Sequence, residues 1–150
     1  MANLSDHFTL EELCASGRAK QLGITNIPED ADLLNLIRLC TTLLEPMREA
    51  VGTGIRINSG YRCPQLNAAV GGVLNSAHLD GRAADFIVPG WDLSAVWEKV
   101  SQMDLPWDQL IWETNSLGSQ WIHAAIAKDG EEPRREVLHL QARPFRKYVG

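Results

Sequence analysis

Ser76-Ala77-His78-Leu79-Asp80-Gly81-Arg82-Ala83-Ala84-Asp85-Phe86 is the most informative stretch of the chain, because an imidazole and a carboxylate flank a glycine turn that leads into an apolar, strand-like run. That run extends from Ala83 to Val88 and is closed by Pro89-Gly90. His and Asp are both ligand types for hydrolytic zinc, which is commonly held by three protein side chains with a fourth position left open. A third candidate is His123 in Trp121-Ile122-His123-Ala124, where an imidazole inside an apolar strand needs partners for its nitrogens. Taken singly, His78 reads equally as a loop histidine, Asp85 as a cap, and His123 as a hydrogen-bonded core histidine. Residue types alone do not decide.

Outward from this stretch the chain alternates strands and helices. Gln109 to Glu113 and Trp121 to Ala127 read as strands, and the polar, glycine-containing Thr114 to Gln120 between them suits an antiparallel hairpin. Trp112 and Trp121 flank that hairpin, as core packing or as aromatic walls of a groove. Glu136 to Leu140 reads as an edge strand. Upstream, Ile55 to Ser59 alternates apolar and polar as a half-buried strand does, followed by Gly60 and a short helix from Pro64 to Ala69. Asp92 caps a helix carrying Leu93, Val96, Trp97 and Val100 on one side.

Apolar residues at Leu33, Leu36, Ile37, Cys40, Leu43, Leu44, Met47 and Val51 recur at three and four, predicting a long amphipathic helix from Asp30 to about Val51, kinked at Pro46. Thr9-Leu10-Glu11-Glu12 has the form of a capping box and predicts a short helix that Gly17 stops. Early helices with strands mixed in later point to an α+β domain, a small and mostly antiparallel sheet flanked by helices.

The 150 residues suit one domain, residues 1–150. A net charge of −5 with dispersed arginines and lysines argues against nucleic acid as a partner. No stretch approaches the roughly eighteen apolar residues of a membrane span. Met1 to Leu10 lacks a basic segment followed by an apolar run, so the expectation is a chain that is cytoplasmic as synthesised. Cys14, Cys40 and Cys63 are widely spaced and are expected to be reduced thiols.

Ser76 to Asp85 resembles the Ser-x-His-x-x-Gly-x-Ala-x-Asp motif of the M15 zinc peptidases, the D-alanyl-D-alanine carboxypeptidases and phage L-alanyl-D-glutamate endopeptidases that share the Hedgehog/DD-peptidase fold. Ser59-Gly60-Tyr61-Arg62 resembles that family's Ser-Gly-Tyr-Arg turn, and Leu66 to Gly72 resembles the segment joining it to the metal motif. Asp108 to Glu113 followed by Trp121-Ile122-His123 is similar to its last metal-binding hairpin.

The resemblance implies that His78, Asp85 and His123 hold Zn2+ and that an acid near the last histidine moves protons, with Glu113 the candidate, lying across the hairpin from His123. It implies that Arg62 faces the substrate, stabilising an oxyanion or holding a carboxylate. Ser76 either orients the motif turn or bonds the substrate, and Trp121 is a candidate groove wall. Many members place the acid as Glu-x-x-His, and here Gln120 stands three residues before His123. Two readings follow: a monomeric peptidase cutting the stem peptide of peptidoglycan, of the kind phages use for lysis after release to the wall, or a zinc-stabilised module that binds peptide or wall without efficient cleavage.

Overall fold

The computed structural model describes residues 2–141. Helix α1 (Leu10–Cys14) starts at the capping box, where the Thr9 hydroxyl accepts from the Glu12 backbone N–H and the Glu12 carboxylate accepts from the Thr9 N–H. Gly17 does not end the helical region. Ser16 caps a second helix, α2 (Gly17–Leu22), by accepting from the Ala19 N–H, and Gly17 is its first residue. A serine oxygen for an orphan N–H outweighs the low helix propensity of one first-turn glycine.

The long helix runs from Asp30 to Val51 in three parts: α3 (Asp30–Leu39), a π-helical turn (Cys40–Leu44) and α4 (Glu45–Val51). Pro46 explains the middle part. Its ring would meet the Thr42 carbonyl in a regular α-helix, and the wider π turn relieves that overlap. The Thr41 and Thr42 hydroxyls donate to carbonyls one turn back, at Ile37 and Arg38, inside the same region.

Among the described residues five strands form one sheet in the order β1-β2-β4-β3-β5, where β1 is Arg56–Ser59, β2 Ala83–Ile87, β3 Gln109–Thr114, β4 Gln120–Ala125 and β5 Glu136–Gln141. Neighbours are antiparallel except β3 and β5, which run parallel. The expected hairpin is β3–β4, and Glu136 onward forms the expected edge strand. Helices α5 (Pro64–Ala69) and α6 (Leu93–Ser101) fall where the sequence places them, with Asp92 accepting from the Ser94 N–H. The architecture is α+β.

Strand alternation divides the sheet into two faces. Ala84, Phe86, Leu110, Ile122 and Ala124 face the helices and join Leu36, Leu43, Met47, Val96 and Val100 in the core. The opposite face carries Ser59, Asp85, His123 and Ile111 in one row across four strands, by the pairings Ser59↔Asp85, Asp85↔His123 and Ile111↔His123. Ser59, Asp85 and His123 therefore share the face turned away from the helix-packed core.

Candidate metal centre

Three elements bring the charged and imidazole side chains together. His78 lies in a short 3-10 turn (Ala77–Asp80) just before β2, Asp85 in the middle of β2, and His123 in β4. Ser76 caps that turn, its hydroxyl accepting from the His78 N–H at 3.2 Å. Gly81 closes it at φ +79°, and a side chain there would also overlap the Asp32 carbonyl. Asp80 turns away and pairs with Arg82 at 2.8 Å, so Asp85 is the carboxylate at the centre.

The three side chains are almost wholly buried: His78 and His123 at 0% exposure, Asp85 at 3%. One ligand atom from each lies within 4.8 Å of the others. His78 Nε2 is 3.3 Å and His123 Nδ1 2.9 Å from Asp85 Oδ1. Ligands on one tetrahedral zinc, at about 2.0–2.1 Å each, stand roughly 3.3 Å apart, so the cluster has the right dimensions.

Proton placement points the same way. His78 Nδ1 is 2.7 Å from the Gly60 carbonyl oxygen, which can only accept, so the ring proton sits on Nδ1. Burial pushes the His78 pKa down, which keeps the imidazole neutral. Its Nε2 lone pair then faces a carboxylate oxygen, and that nitrogen has no hydrogen-bond partner among the described residues. Burial works against the charged form of Asp85, but the carboxyl is held well below its usual range, with the 2.9 Å hydrogen bond to His123 Nδ1 favouring the carboxylate. Two acceptors facing each other in a buried site repel unless a cation lies between them, and this donor set suits a divalent metal.

The turn at residues 59–62 grips His78 twice, through the Gly60 carbonyl and through the Arg62 N–H, which donates to the His78 carbonyl at 3.0 Å. That turn is held by Asn26. Its amide donates to the carbonyls of Cys14 and Tyr61, and its oxygen accepts from the Cys63 N–H, each at 2.8–2.9 Å. Asn26 was not singled out from the sequence: its partners lie 12 to 37 residues away, and no local pattern encodes them.

Glu113 is 5% exposed, with Oε1 3.8 Å from His123 Nδ1 and accepting from the Trp121 indole N–H at 3.3 Å. The expected position directly across from His123 is taken by Ile111, and Glu113 pairs with Trp121 instead. Glu113 reaches the histidine diagonally, on the same face two residues along β3. Gln120 occupies the opposite face, since three residues along a strand reverse the side-chain direction, and it accepts from the Trp112 indole N–H.

A cleft of about 330 Å³ opens onto Asp85 and is lined by Arg62, Tyr61, Ser59 and Trp121, with Ala15 to Arg18 contributing four consecutive residues. Arg62 is 3% exposed. Burial pulls its pKa below the ordinary range, and Asp85 and Glu113 push it back up. Trp112 is not part of this cleft. It stacks on His139 at 4.3 Å and meets Trp97 at 5.9 Å on the other face. Ser76 and Trp121 thus part company: the serine hydroxyl caps a turn, and the tryptophan lines the cleft.

A buried two-histidine, one-carboxylate cluster beside a glutamate, at the end of an open cleft, defines the class of metallohydrolases. A family model described as Peptidase M15 matches residues 6–125, and the chain belongs to that family of metallopeptidases. No curated protein matches the chain. No helix among the described residues is long and apolar enough to cross a membrane.

Proposed function

We propose that this protein is a zinc-dependent peptidase that hydrolyses an amide bond in the stem peptide of bacterial peptidoglycan, as a D,D-carboxypeptidase or an L-alanyl-D-glutamate type endopeptidase. The observation that carries the reading is the convergence of one ligand atom each from His78, Asp85 and His123 within 4.8 Å of one another, at the end of a cleft that also holds Arg62. His78, Asp85 and His123 would hold the ion, and zinc bound there would polarise the scissile carbonyl and acidify a water.

The chain's own groups supply the rest. Glu113, buried and 3.8 Å from His123 Nδ1, takes the proton released as water attacks the amide carbon and delivers it to the leaving nitrogen. The Trp121 indole N–H donates to the same Glu113 oxygen, Oε1, that stands 3.8 Å from His123 Nδ1, and so holds that oxygen beside the cluster. Arg62 presents a guanidinium to the charge that develops on the carbonyl oxygen, in a site where burial strengthens that interaction. Trp121 also contributes an apolar wall for the extended peptide.

The competing reading, a zinc-stabilised binding module, drew its support from Gln120. That support weakens here, because position 120 faces away from the metal cluster and no side chain there could serve as the base. Digestion of purified peptidoglycan, followed by mass spectrometry of the products, tests the proposal. Cleavage that chelator abolishes and zinc restores supports it, and the mass of the fragments names the bond. Zinc bound at one equivalent without any cleavage overturns it in favour of the module.

A further inference from the structure

The cleft contains one cation that the chemistry at the metal cluster does not engage. Of the side chains lining it, Asp85, Arg62 and Arg18 are charged. Arg62 is buried and set against Asp85 and Glu113. Arg18 is exposed, in the first turn of α2, and among the described residues it makes no ion pair; its one hydrogen bond is a long 3.5 Å contact to Gln21 Oε1. In a chain of net charge −5, an uncompensated guanidinium lining a cleft is an electrostatic selector for an anion.

The segment carrying Arg18 is positioned with the site. The Tyr61 N–H donates to the Leu13 carbonyl at 2.7 Å, and Asn26 joins Cys14 to Tyr61 and Cys63, so α1 and the start of α2 are tied to the turn that bears Arg62. Ala15, Ser16 and Gly17, which precede Arg18 in the cleft lining, carry no charge and leave the approach open. A planar guanidinium on a fixed segment matches a carboxylate with two parallel hydrogen bonds.

We infer that Arg18 is a specificity-determining residue that binds a carboxylate of the substrate peptide, so that the protein selects peptides carrying a free carboxylate near the scissile amide. The inference rests on the proposed peptidase reading. In a stem peptide that carboxylate has two sources, the α-carboxylate of the γ-linked D-glutamate or the C-terminal carboxylate, and the shared chemistry is what Arg18 reads.

Four versions of the pentapeptide L-Ala-γ-D-Glu-L-Lys-D-Ala-D-Ala test it: unmodified, amidated at the glutamate, amidated at the C-terminus, and amidated at both. Binding to the full-length zinc-loaded protein is read by calorimetry and turnover by mass spectrometry, for wild type, Arg18→Gln and Arg18→Lys. The expected result is that one single amidation weakens binding to wild type by about tenfold, as loss of one charge-assisted contact would, and thereby identifies the source. Arg18→Gln then reproduces that loss on the unmodified peptide, mainly in KM, shows no further loss on the sensitive amide, and Arg18→Lys recovers part of the affinity.

If wild type binds all four peptides equally, or Arg18→Gln loses the same factor on every one, the inference is overturned while the peptidase reading stands. If wild type binds and cleaves none of them, the peptidase reading fails and takes this inference with it.

Discussion

Nδ1 of His78 and the carbonyl oxygen of Gly60 stand 2.7 Å apart across 18 residues of chain, and this contact sets which nitrogen of His78 faces Asp85. Gly60 can occupy its place only because it has no side chain, since a Cβ there would overlap the Leu13 carbonyl. Gly60→Ala must move the carbonyl that orients His78. We expect a loss of about 1–3 kcal/mol in stability from overpacking and a roughly 10–100-fold weaker zinc affinity from the disturbed outer contact. Thermal melts and a competitive zinc titration measure the two separately.

Among the described residues Glu113 is the one carboxylate besides Asp85 within 4 Å of His123, at 3.8 Å. Glu113→Gln preserves the shape and removes the base. Zinc content should be retained and kcat should fall by about 10²–10⁴. A variant with zinc and undiminished turnover would show that the proton passes elsewhere.

Gln120 provides the complementary case. Because its side chain lies on the sheet face opposite His123 and bonds Trp112, Gln120→Glu should restore the Glu-x-x-His pattern in sequence yet leave kcat within about twofold, as a surface change distant from the chemistry does. A gain of tenfold or more would mean that β4 turns over at its start.

Asp108 gives a pH dependence outside the site. Burial alone would raise its pKa, but Arg134 hydrogen bonds through Nε, Nη2 and its backbone N–H, at 2.9–3.2 Å, lower it on balance. With the folded pKa below the unfolded one, the stabilisation is complete above the ordinary carboxylate range and disappears as pH falls through the folded value. Melting temperatures of wild type and Asp108→Asn should therefore differ at neutral pH and converge as the pH falls below the ordinary carboxylate range.

Cys40 is fully buried and its thiol is pushed up to about 12 by burial, while burial pushes Cys14 to about 11. Thiolate is the reactive form. Labelling at pH 7 should leave Cys40 unmodified in the native protein and reach it only after denaturation, which quantitative mass spectrometry of the peptides can follow.

Much of this was legible in the sequence because the governing interactions are local. The Thr9 box, the three-and-four spacing from Leu33 to Val51 and the alternation of Ile55 to Ser59 each report on neighbours within a turn or a strand. The metal cluster was legible for another reason, the family motif, since His78, Asp85 and His123 taken one by one had ordinary explanations. Gly17 misled because a glycine marks a helix end only when nothing caps the next helix, and Ser16 does. Glu113 lies two residues along β3 from the expected place opposite His123, since the register of β3 on β4 is set together with the turn at Asn115 to Ser119 and is not readable from the strand residues alone. Asn26 was invisible because its three backbone partners are brought together only by the finished fold.

Asp85 and His123 meet only because β2 pairs with β4, across a separation of 38 residues. A nascent or denatured chain holds these side chains far apart and offers an ion little more than scattered imidazoles. An ion held by this cluster would therefore be gripped only once β2 and β4 have paired, so that its binding and the closing of this part of the sheet would support each other.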